Sequence, residues 1–146
     1  MNEEISKLRE VTGAGVMDCK KALREANGNF DKAIEVIRER GAAIAEKRGE
    51  RKTGAGVLES FVHNGRVGVL LELRTETDFV ARSEPFQELA HEIVMQIAAM
   101  EPENAEALLK QSYIKDESMD VEGLINSVIA KVGENIKVER FCRYEL

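Results

Sequence analysis

An Asn-Gly pair at 64–65 joins two alternating apolar segments, VLESFVH and RVGVLLEL, and commits the middle of the chain to an antiparallel hairpin. Both residues accept the positive φ of a type I′ turn, which matches the right-handed twist of paired strands. Val67, Val69, Leu71 and Leu73 then alternate onto one face, which needs a covering layer. The C-terminal stretch ENIKVERFCRYEL alternates again. It predicts a third strand with Ile136, Val138, Cys142 and Tyr144 on one side, and Lys137, Glu139, Arg143 and Glu145 on the other.

Helices supply the cover. Ser83, Pro85 and the stripe Phe86, Leu89, Ile93, Ile97, Met100 predict an amphipathic helix. A short helix over 105–109 and a longer one over 121–132, stopped by Gly133, follow. The segment AEALLKQSYIKDESMD reads as a direct link between them.

Residues before the hairpin read as wholly helical. Asn2 is placed to cap a first helix carrying Ile5, Leu8 and Val11, broken by Gly13 and Gly15. A second carries Val16, Cys19, Leu23 and Ala26 and stops at Asn27-Gly28. A third starts at Asn29 or Asp31, turns Phe30, Ala33, Ile34 and Ile37 inward, and ends at Gly41. A further helical stretch over 42–47 reads as a spacer. Charge divides the chain at the same region: residues 1–52 hold 12 basic and 10 acidic groups, residues 53–146 hold 9 and 17. The expected organisation is α+β: a three-helix module over 1–48, a linker over 49–56, and a core of a three-stranded antiparallel sheet packed with helices over 57–146.

Composition excludes several function classes. No apolar run reaches the roughly 20 residues that span a bilayer, and MNEEISKLRE is no signal peptide, so a cytoplasmic location is expected. Two cysteines, Cys19 and Cys142, make no disulfide framework, and His63 and His91 are too few for a zinc scaffold. The lack of tryptophan argues against a base-stacking platform for nucleic acid. TGAGVMD and TGAGVLE each fall short of a G-x-G-x-x-G phosphate motif. His91-Glu92 begins like a zinc-protease helix, but position 95 is Met95. Cys19 next to Lys20 could be an activated thiol, against the better-supported reading of a small core residue.

One segment resists a bland account. In TETDFVAR, residues 75–82, an aromatic stands beside an acid where a solvated turn is ordinarily polar. Either Thr77 or Asp78 caps a turn and Phe79 tucks into the core, or Phe79 is a wedge for a partner's groove with Asp78 beside it.

Three stretches, in order, resemble the bacterial elongation factor Ts family: LREVTGAGVMDCKKALREANGNFDKAIEVIRERG, HNGRVGVLLELRTETDFVAR with its T-D-F-V signature, and IAKVGENIKVERFCRYEL. The resemblance implies a UBA-like N-terminal module and nucleotide exchange on elongation factor Tu, without cofactor or bond-making chemistry. It implies that Asp78 and Phe79, following Thr77, insert between two helices of that GTPase near its magnesium. It also implies partner contacts at Arg9, Val16 and Met17 in the first loop, and at Val132 and Gly133. His63 is implied as another, against a plain hairpin role. Val16 stands where many members have methionine. Longer members carry a helical insertion and a second copy of the core, so this short chain is expected to form a homodimer through the sheet bearing the C-terminal strand. Cys142 then either faces its symmetry mate or packs within its own core. Against the exchange factor stand a non-exchanging protein-binding adaptor and, remotely, a small enzyme using Asp78, Glu76 or His91.

Overall fold

A computed structural model describes residues 2–146. Helices α1 (Asn2–Thr12), α2 (Val16–Glu25) and α3 (Phe30–Arg48) form the N-terminal module. Asn2 is itself helical, within α1, so it is not the cap. Ile5, Leu8, Cys19, Ala22, Leu23, Ala26 and Ala33 make a small separate core. Val11 and Val16, expected on the inner stripes, face solvent instead. Asn27 and Gly28 take positive φ, 52° and 80°, and Asn29 caps α3 by accepting from the Lys32 amide.

Gly41 does not end α3. The helix continues through 42–47 as one rod, so the expected spacer is its last turns. The reason lies across the interface. Gly41 is buried against α7 (Val121–Val132), where an added Cβ would sit 3.6 Å from the Asn126 carbonyl oxygen and 3.8 Å from the Ala130 Cβ. Ile44 and Ala45 pack on the second core, so α3 belongs to both halves of the molecule. A methyl group fits at those distances and also restores helix propensity. Gly41→Ala should therefore raise stability by up to ~1 kcal/mol, while Gly41→Leu should overpack the crossing and cost about 1–3 kcal/mol. Urea unfolding of both variants checks this, and a destabilised alanine variant would contradict the described crossing.

The second half is built on the sheet β1 (Ala55–His63), β2 (Val67–Thr75) and β5 (Ile136–Glu145), in the order β1-β2-β5, all antiparallel. Asn64 and Gly65 have φ of 52° and 64° as expected, and Arg66 N–H donates to the His63 carbonyl at 3.0 Å. The ladder nevertheless closes on His63↔Val67, so the loop takes in Arg66 as well. Helix α5 (Glu84–Met100) lies over the face carrying Val69, Leu71 and Leu73, with Phe86, Leu89, Ile93 and Ile97 buried in the joint core. Met100, the end of its expected stripe, is exposed.

Strand β5 corrects the expected alternation. Ile136 and Val138 point inward, but Arg140 pairs with Glu72 while Val138 pairs with the next residue, Leu73. Glu139 is thus a bulge, and one extra residue reverses every later side chain. Phe141 and Arg143 turn inward, and Arg143 donates to the Ala98 carbonyl. Cys142 and Tyr144 stand on the outer face, opposite Leu70 and Gly68, so Cys142 does not pack in its own core. On that outer face Glu72 accepts from Arg140 at 2.8 Å and Arg74 at 2.7 Å, which holds its carboxyl below the usual carboxylate range.

The link expected to run plainly from α6 (Ala105–Lys110) to α7 contains a small hairpin, β3 (Ser112–Tyr113) and β4 (Asp116–Asp120). Tyr113 donates to Glu92 at 2.9 Å, and the buried Gln96 donates to the Ser112 carbonyl and accepts from the Ile114 amide. Arg38 of α3 reaches Ser118, tying this hairpin to the N-terminal module.

Candidate functional site

The strand β2 ends at Thr75, whose side chain is fully buried, and the chain enters a single helical turn, α4 (Asp78–Ala81). One turn cannot support itself, because nucleation fixes several residues for one hydrogen bond. Its ends are therefore tied from outside. Thr77 is the cap: its Oγ1 accepts from the Val80 amide at 3.3 Å. At the other end Ser83 Oγ donates to the Val80 carbonyl and Gln87 Nε2 to the Ala81 carbonyl. Val80 and Ala81 are buried in the main core. The turn thus has an anchored side and a free side.

The free side carries Asp78 and Phe79. Phe79 is 83% exposed, so the reading that tucked it into the core is overturned. A ring of this size left in water on an anchored turn is a protruding apolar contact, ready to be desolvated by a partner.

The loop after α7 lies against this turn. Asp120 caps α7 by accepting from the Gly123 amide at 2.7 Å, and Gly133 ends it with φ of 77°. The next residue, Glu134, accepts from the Thr77 amide at 2.9 Å and from the Thr77 hydroxyl at 2.7 Å. The end of α7, with Val132 and Gly133, is thereby followed directly by a residue bonded to Thr77, more than fifty positions away in the chain. Glu134 and Asn135 belong to this arrangement and were missed in the sequence, and Glu76, raised there only as a remote catalytic acid, joins them. They are small-range polar residues in loops, and nothing local marks their long-range partners.

The remaining candidates lie elsewhere. His63 sits at the far end of β2's partner strand, about 26 Å of strand away by the rise per residue. It is exposed, stacks on Phe61 with ring centroids 6.1 Å apart, and Phe61 meets His91 edge-on. Val16 and Met17 begin α2 and are exposed, Met17 at 62%. Arg9 lines a groove of about 1390 Å³ between the N-terminal module and α7 with β4, a groove that Val16 and Met17 do not line.

The catalytic alternatives fare poorly. Burial pushes the Cys19 thiol above its usual value, outweighing the Thr12 hydrogen bond and the Arg9 charge that favour thiolate, so it is a neutral core residue. Glu92, next to His91, is engaged by Tyr113 and by Lys115 at 2.6 Å. Among the described residues, no three His, Cys, Asp or Glu side chains are grouped to hold a metal ion. Nor is any described helix long and apolar enough to cross a membrane.

Comparison with known proteins shows the family. The family model described as Elongation factor TS matches residues 76–146, from the Phe79 turn to the C-terminal strand. The elongation factor Ts of Thermotoga maritima is 44% identical, covering 97% of this chain and 94% of its own length. That of Desulforamulus reducens is 42% identical over 97% and 87%, and that of Moorella thermoacetica 40% over 98% and 93%. The chain belongs to the elongation factor Ts family. Its role is therefore in translation elongation. The Thermotoga maritima alignment runs over 186 positions against a chain of 146 residues, so part of that relative faces no residue here.

Proposed function

We propose that this chain is a guanine nucleotide exchange factor that binds elongation factor Tu in its GDP form and loosens the nucleotide. The observation that carries the reading is Phe79, 83% exposed on a turn whose other side is buried. Driven between two helices near the bound magnesium, such a ring moves the groups that hold the metal, with Asp78 beside it to compete for their polar contacts. Phosphates clamped by a divalent cation leave slowly because the attraction is electrostatic. A factor that prefers the loosened GTPase must weaken GDP binding by the same factor by which GDP weakens its own grip. No bond is made or broken, so the factor acts by binding and works in the cytoplasm. The module over 1–48 supplies a second grip through Arg9, Val16 and Met17; its α3 packs on the core over 57–146, and the 49–56 segment that joins them runs into β1. Val132 and Gly133 contact the partner beside the wedge, and His63 at the distant hairpin end.

The chain acts as a homodimer through the outer face of its sheet. Leu58, Val62, Leu70, Cys142 and Tyr144 are exposed there. An exposed apolar sheet face of this kind is covered in a stable protein, and a two-fold axis crossing β5 brings Cys142 toward its own copy.

Release of a fluorescent GDP analogue from elongation factor Tu tests the exchange reading. Catalytic amounts of the chain are expected to accelerate it at least tenfold. Binding without acceleration would leave an adaptor in place of an exchange factor. Sedimentation over a range of concentrations tests the dimer, and a species that stays at 16.3 kDa removes it.

A further inference from the structure

The turn that presents Phe79 and the loop that follows α7 exchange carboxylates. Glu134 accepts from the Thr77 amide and hydroxyl, and shares the Thr75 hydroxyl proton with the Asn135 carbonyl, at 3.2 and 3.0 Å. In the other direction Glu76 accepts from the Asn135 amide at 2.6 Å. Arg51 adds an ion pair to Glu76 at 3.6 Å, while the Asn135 side chain donates to the Arg51 carbonyl at 3.0 Å. Each loop thus supplies an acid to an amide of the other, and charged acceptors make the stronger kind of hydrogen bond.

We propose that Glu134, with Glu76 in support, is a positioning residue for Phe79, locking the two loops into one rigid tip that holds the ring where the partner's helices can receive it. The proposal rests on the reading of Phe79 as the wedge. Its physical content is pre-organisation. The exposed ring has little packing of its own to hold it, so the direction in which it points is set by the Thr77 cap, and Glu134 grips both the amide and the hydroxyl of Thr77. A looser tip must be ordered at the moment of insertion, which raises the barrier to exchange without removing any contact to the partner. The C-terminal glycine of α7 contributes by turning the chain so that Glu134 follows directly at the tip.

The substitution Glu134→Gln keeps the side-chain shape but removes the charge, and with one oxygen left to meet the Thr77 amide its NH2 turns the Thr77 hydroxyl from donor to acceptor. It is expected to slow stimulated GDP release roughly tenfold, the cost of one charged hydrogen bond. In a Phe79→Ala background the same change should have no further effect, because the residue acts only through the ring. Thr77→Val, which deletes the hydroxyl, should reproduce the loss and Thr77→Ser should restore it. In the free protein, amide hydrogen exchange at Val80 and Ala81 should quicken about tenfold in Glu134→Gln, with Ile93 and Val94 of α5 unchanged. Equal slowing with and without Phe79 would make Glu134 an independent partner contact and overturn the proposal. Unchanged release together with unchanged amide exchange would do the same. If the parent chain does not accelerate GDP release, the exchange reading fails, while the amide measurement still decides whether the carboxylates hold the tip.

Discussion

Phe79→Ala is expected to fold like the parent and to lose most of its stimulation of GDP release from elongation factor Tu. The two halves of this outcome have one cause. With 83% of its surface in water, the ring contributes little to the core, so unfolding should shift by no more than about 0.5 kcal/mol. For the same reason the ring is free to be buried by a partner, and an anchored aromatic at the centre of an interface is worth about 2 kcal/mol or more. Appearing in the rate, that is roughly thirtyfold. Asp78→Asn, which keeps size and removes charge, should show a smaller loss. A Phe79→Ala chain that exchanges nucleotide as fast as the parent would end the wedge assignment.

Phe86→Ala should do the reverse. Seven residues later on α5, this phenylalanine is 0% exposed and stands among the largest fully buried side chains. Its removal leaves a cavity in the core that α5 shares with the sheet, which the sheet and helix cannot both collapse to fill. A cost of about 3–5 kcal/mol is expected, against a total stability of about 5–15 kcal/mol for a domain. Urea unfolding should show a lower midpoint at an unchanged slope. A cost below about 1 kcal/mol would mean that α5 does not sit on the sheet as described. Together the two substitutions separate a ring that works by being outside from one that works by being inside.

Much of the fold is legible in local sequence. Asn64-Gly65 specified its turn, Asn27-Gly28 and Gly133 ended their helices, and the stripe on 86–97 named the buried face of α5. In each case a backbone preference and a hydrophobic period agreed. Gly41 shows where that logic stops. A glycine after an apolar period reads as a helix end, yet whether it stops a helix or lets another helix come close depends on what lies across from it. Here α7 does, through Asn126 and Ala130, 85 and 89 positions further along the chain. The β3–β4 hairpin was hidden because its strands are short and polar, held by Gln96 and Glu92 of a different element.

The site divides the same way. Thr77, Asp78 and Phe79 stood out in the sequence as an aromatic and an acid where a turn should be polar, and the family resemblance pointed to the same residues. Their surroundings were not legible: Glu134 and Asn135 are ordinary loop residues until β5 returns beside β2 and sets them against Thr75, Glu76 and Thr77. The face of Cys142 depended on a single bulge at Glu139, which no alternation pattern marks.

What the sequence by itself determined is therefore the three strands of the main sheet, most of the helices, their order, the turn at 64–65 and the family, because these follow from neighbouring residues and from motif order. Only the tertiary structure decided that Phe79 is out and Phe86 in, that α3 runs through Gly41 into the core, and that Cys142 faces outward. Each of those is settled by contacts between residues far apart in the chain, where burial and register are properties of the assembled layers rather than of any one segment.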